Sequence, residues 1–160
     1  KSMPADEEPD FSEFMELYGY DTAVQEVVVN DAYYVDLTST DTSNLYSYQS
    51  LQTVIAGGGV DVLGADEMVF EYLAQSGAIA DLTQYFSKDE LEQLKDYIFY
   101  VEDKDTGDTF AAGIRLGAGS WPVEHGYYEK ECILGIALGS EHKEAAEQMF
   151  RYLLEKTNLD

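Results

Sequence analysis

Cysteine is nearly missing from this 160-residue chain. Cys132 is the only one, so no intrachain disulfide can form, and a single thiol leaves the redox compartment undecided. Set in an apolar, strand-like run, it reads as packing rather than as a nucleophile. Histidine is almost as scarce: His125 and His142 stand apart, without the spacing of a metal-binding pair. Positive charge is the third shortage. Nine basic residues face 32 acidic ones, and the resulting formal charge of −23 repels nucleic-acid phosphates and anionic lipid headgroups. Binding of DNA, RNA or a membrane through a basic patch is therefore not expected. The acidic excess reads as a solvated surface, ahead of a dedicated site for a cationic partner. No run nears the ~20 apolar residues of a membrane-spanning helix, and no basic, apolar and small-residue succession marks a signal peptide.

Signatures of chemistry are missing as well. No G-x-S-x-G nucleophile elbow occurs, and among 32 acids carboxylate pairs arise by chance, so no glycosidase pair can be assigned without distances. Asp103, Asp105 and Asp108 mimic the start of a calcium loop, but Gly107 takes a ligand position and Ile114 stands where the twelfth-position glutamate belongs. The run Gly57-Gly58-Gly59 is no phosphate cradle, because it follows a helix and lacks a nearby Lys-Ser/Thr. Neither catalysis, a metal nor a cofactor is expected.

What remains is the material of one α/β domain, large enough to bury about 70% of its unfolded surface. Residues 1–10, KSMPADEEPD, hold two prolines and four acids and read as a flexible acidic tether; residues 11–160 form the domain. The missing initiator methionine is expected of a chain whose natural signal sequence or membrane anchor has been removed. A short helix carries Phe11, Phe14, Met15 and Leu17 and stops at Gly19. Residues 24–36, with Val27, Val28, Val29, Tyr33, Tyr34 and Val35, predict a central strand. The polar stretch 37–44 leads into a helix bearing Leu45, Tyr48, Leu51, Val54 and Ile55, which the glycine run ends. Residues 60–65 predict a second strand, parallel to the first in a right-handed βαβ unit. Asp66 caps the following helix, whose Val69, Phe70, Leu73 and Ala74 form the buried stripe before Gly77 stops it.

Ser87 and Glu90 form a capping box for a further helix. Residues 97–101 and 109–116 predict a hairpin turning at Gly107. The irregular segment 117–131 holds the only tryptophan, where Trp121, Tyr127 and Tyr128 either build an aromatic platform for a sugar ring or peptide, or plug the core. Residues 132–138 predict the last strand, before a helix with an apolar stripe from Ala145 to Leu154.

Two strings carry a resemblance. The first is an apolar strand ending in Ala65-Asp66-Glu67, then a helix, then GAIADLTQYF; the second is CILGIALGSEHKEAAEQMFRYLL from Cys132 to Leu154. Together they cover about half of the chain, and they resemble the extracytoplasmic, periplasmic-type solute-binding proteins of ABC transporters. Those proteins insert a second lobe of about a hundred residues or more before the returning strand, where this chain has only residues 117–131. The resemblance thus implies a single-lobe periplasmic-binding-protein-like three-layer domain with a mixed sheet of about five strands. It also implies an extracytoplasmic location, cell-surface anchored or secreted, and weak binding of a small solute on an open face, without catalysis. Strand-end and loop positions nominate Tyr33, Tyr34, Ser39, Asp66, Glu67 and Trp121 as ligand contacts. The alternative is an anchored surface interaction module that binds a protein partner or itself and has no transport role.

Overall fold

The computed structural model of the protein describes residues 9–30, 35 and 38–157. In chain order the elements are α1 (Ser12–Leu17), α2 (Thr42–Ala56), β1 (Val62–Ala65), α3 (Glu67–Gln75), a 3-10 turn (Leu82–Gln84) and α4 (Lys88–Gln93). They continue as β2 (Ile98–Glu102), β3 (Thr109–Leu116), α5 (Trp121–Glu124), β4 (Cys132–Ile136) and α6 (Lys143–Glu155). The architecture is α/β: a four-stranded open sheet in the order β1-β4-β3-β2, with helices on both faces.

The local signals act as elementary physics requires. Asp66 accepts the Val69 N–H at 2.9 Å and starts α3, and Gly77 adopts φ 85° just beyond its end. Ser87 and Glu90 form both bonds of the capping box. The β2–β3 hairpin turns through Gly107 at φ 74°.

Pairing differs from the expected mixed sheet. Among the described residues every ladder is antiparallel, and the neighbour of β1 is β4, from the far end of the chain, with Leu63 opposite Gly135 and Ala65 opposite Ile133. The strand expected over residues 24–36 is not formed in residues 24–30, and Tyr33 and Tyr34 lie outside the described residues. Val24 and Val28 are 78% and 74% exposed, so the β-branched run has no pleated neighbour to pack against, which is the condition its propensity depends on. Among the described residues four strands therefore stand where about five were expected, and no parallel βαβ pair occurs among them.

The sheet separates two apolar layers. On one face α1 and α6 bring Phe14, Phe150 and Leu153 against Ile114, Leu134 and Ile136. On the other, α2 and α3 bring Leu51, Ile55, Phe70 and Leu73 against Leu63, Ala112 and Ile133. A register shift in β2–β3 sets Phe99 opposite Gly113 but Tyr100 opposite Ala111, leaving Ala112 as an extra residue. That bulge puts Ala111 with the first layer and Ala112 with the second.

Phe70 anchors α3 to the sheet by a close approach. A Cβ on Gly135 would lie 2.7 Å from Phe70 Cζ, and one on Gly113 equally 2.7 Å from it. Two glycines on adjacent strands thus form the seat of one phenyl ring.

Candidate functional site

Strand direction decides which residues meet. Because the sheet is antiparallel, β1 and β3 finish on the rim where β4 begins: Ala65 is paired with Ile133, and Leu116 with Cys132. Helix α3 starts on that rim. The far end of α2, at Ile55 and Gly58, packs beside Gly139, beyond the opposite ends of the strands. Asp66 and Glu67 therefore stand on the rim. Ser39 Oγ accepts the Asp41 N–H at 3.1 Å in the turn before α2.

The rim holds a chain of charges. Arg115, near the end of β3, places one guanidinium nitrogen 3.1 Å from Glu67 Oε2 and donates from the other to Glu131 Oε1 at 2.9 Å. Its guanidinium also lies 5.4 Å from the centre of the Phe99 ring. The three side chains are 35%, 56% and 52% exposed, so water and solutes reach the whole chain. Below it, the Tyr128 hydroxyl donates to the Gly64 carbonyl at 2.6 Å. Burial, with the charges of neighbouring groups, pushes the Tyr128 phenol well above its ordinary range, so it remains a donor. Cys132 is pushed up to about 12 mainly by burial, which keeps its thiol protonated and inert.

The same geometry restricts what binds here. The α3 N-terminus spends an amide on its own cap, Asp66 on Val69, and Arg115 is claimed by two carboxylates. A phosphate or sulfate would meet acid where it needs donors. Hydroxyl or amine groups find carboxylate acceptors and one guanidinium donor instead.

Trp121 lies elsewhere. It packs on the face that carries α1 and α6, with His125 stacked at 4.2 Å, Tyr127 at 5.6 Å and Phe11 tilted against it at 5.4 Å. The chain's own aromatic side chains flank the indole, so Trp121, half-buried, packs against the α1–α6 layer rather than on the α3 side of the rim. Of the six nominated contacts, the structure sets Asp66 and Glu67 on the rim, Ser39 in the turn before α2 and Trp121 on the other face, and Tyr33 and Tyr34 lie outside the described residues. Sequence reasoning missed Arg115 and Glu131. The available signal was a lone cation at the end of the apolar run 109–116 in a chain with only nine basic residues.

Two other constellations resolve into architecture. Ser140, Asp61 and His142 have the composition of a catalytic triad, but the Ser140 hydroxyl donates to Asp61 Oδ1 at 2.6 Å, and His142 Nδ1 lies 3.4 Å from the same oxygen. The imidazole does not stand between hydroxyl and carboxylate as a general base must. Ser140 Oγ accepts the His142 N–H at 3.0 Å and braces the start of α6. Asp103 Oδ1 accepts the Asp105 and Thr106 N–H groups, and among the described residues no trio of His, Cys, Asp or Glu side chains is placed to hold a metal ion. Among the described residues, no helix is long and apolar enough to cross a membrane.

Two grooves lie off the rim. One, of about 470 Å³, runs between α4 and Tyr100; another, of about 380 Å³, lies between Gly77 and the β2–β3 hairpin. Comparison with protein-family models, curated proteins and solved structures finds no match to this chain.

Proposed function

We propose that this chain is an extracytoplasmic solute-binding-like domain, a single lobe of periplasmic-binding-protein type that holds a small solute weakly on its open rim and does no chemistry on it. The observation that carries this reading is the exposed charge chain Glu67–Arg115–Glu131 at the end of β1 and β3. The chain of charges stands on exposed surface where β1 and β3 end and α3 begins. With two carboxylates around one guanidinium, and the α3 N-terminus already capped, the solute class is a neutral polyol or sugar, or a compound bearing an amine. Contacts come from one side only, so affinity is low.

The reading is tested by thermal melting of the full chain against sugars, oligosaccharides, amino acids and polyamines. A solute at ten times its dissociation constant stabilises the folded state by about 1.4 kcal/mol, a rise of about 3–6 °C for a domain of this size. Arg115→Ala and Glu67→Gln should abolish that rise. A panel without any rise, or a rise that both variants retain, refutes the proposal.

A further inference from the structure

Charge is spread along this chain except in one place. Residues 42–60 contain no Asp, Glu, Lys or Arg, the longest such run in the sequence, and they include all fifteen residues of α2. At an overall charged fraction of 26%, a helix of that length would carry about four. Burial does not account for the gap. Only Tyr48, Leu51 and Ile55 of α2 are buried, whereas Leu45 and Tyr46 are 54% and 69% exposed.

Helix α3 borders this neutral face with charge of its own, the exposed Glu67 and Glu71, and Lys104 Nζ lies 5.7 Å from the centre of the Tyr72 ring. Tyr48 and Tyr72 meet edge to face at 6.2 Å. Met68 precedes Tyr72 by one turn as Leu45 precedes Tyr48, so the exposed Met68 and Tyr72 continue the surface begun by Leu45 and Tyr46. The charge-free face of α2 is roughly 20 Å long.

We propose that the charge-free outer face of α2, with Met68 and Tyr72 of α3 at its border, is the surface on which this chain associates with a second copy of itself. Charge selects the occupant. A basic partner would be met by acid, which the chain has in abundance; a neutral face ringed by acid suits a body of the same charge, because it is where two copies of net charge −23 approach at least electrostatic cost. Depletion of charge with exposed Tyr and Met is also the composition of interface cores. The inference goes beyond solute binding and does not depend on it.

Sedimentation equilibrium of the full chain over a concentration series, at about 0.05 M and about 0.5 M NaCl, tests the proposal. We expect a monomer–dimer equilibrium that tightens with salt, since screening weakens the repulsion between like-charged copies. The double variant Leu45→Glu/Tyr46→Glu changes only exposed positions near the start of α2, where acid favours the helix, and should weaken association by about tenfold or more. Tyr100→Glu, at an exposed position on β2, should leave it unchanged. A chain that stays monomeric at both salts overturns the proposal. So does a dimer that the α2 variant leaves intact, or one that loosens with salt. Melting shifts with solute report on the rim separately.

Discussion

Gly135→Ala is the sharpest test of how this fold holds its rim. The new methyl would lie 2.7 Å from Phe70 Cζ, 2.8 Å from Cε2 and 3.2 Å from the Ala112 carbonyl oxygen. Carbon atoms prefer about 3.5–4.0 Å, so the overlap with the ring is close to 1 Å. The ring has nowhere to go: Phe70 is fully buried and meets Phe99 edge to face at 5.9 Å. Overpacking of this kind costs about 1–3 kcal/mol, and the entropy that alanine removes from the unfolded chain returns about 0.4–1. A net loss of about 1–2 kcal/mol is expected, a sizeable part of the ~5–15 kcal/mol that holds a typical domain. Urea denaturation followed by circular dichroism measures it as a lower midpoint at unchanged slope. Phe70→Leu shortens the side chain, and although it is destabilising alone, it should relieve part of the Gly135→Ala penalty, giving a coupling energy of about 0.5 kcal/mol or more in a double-mutant cycle. A Gly135→Ala protein within about 0.3 kcal/mol of wild type, or strictly additive variants, would refute the claim that these glycines seat Phe70. The consequence reaches the rim, because α3 carries Asp66 and Glu67 at its start and Phe70 is its deepest anchor.

Two further outcomes are expected. Tyr128→Phe deletes the donor to the Gly64 carbonyl and should cost about 1–2 kcal/mol in the same denaturation assay; no loss would mean that water replaces the hydroxyl. Glu90 is held down to about 2 from an ordinary 4.5, first by the side-chain hydrogen bond from Arg151 and then by the Ser87 N–H. A carboxyl depressed in the folded state adds stability above its unfolded value, and this is lost as the proton returns, so stability should fall between about pH 4.5 and 2. Glu90→Gln should flatten that limb of the stability–pH curve, and an unchanged limb would show that another carboxylate governs it.

Much of the fold was legible because its signals are local. A capping box needs only Ser87 and Glu90 three residues apart, and the stripe Val69-Phe70-Leu73-Ala74 already states which side of α3 is buried. Asp66 announced a helix start that any partner arrangement would respect. The failures share a cause of the opposite kind. Val27, Val28 and Val29 have the composition of a central strand, yet a strand needs a neighbour, and composition cannot supply one. For Leu45, spacing placed it on the apolar face of α2, yet in the fold it is 54% exposed. Trp121 was ambiguous between platform and plug until Phe11, His125 and Tyr127 were seen around it.

The sequence by itself therefore determined an acidic α/β domain, several of its helix starts and stops, the β2–β3 turn, and the absence of any motif for metal, phosphate or nucleophilic chemistry. Tertiary structure alone decided that β4 lies beside β1, that every described ladder is antiparallel, and that Arg115 stands between Glu67 and Glu131. The physical reason is range. Caps, turns and stripes are settled within a few residues, whereas sheet order and a salt-bridge chain join positions as far apart as Glu67 and Glu131 through one shared core whose closure no local pattern encodes.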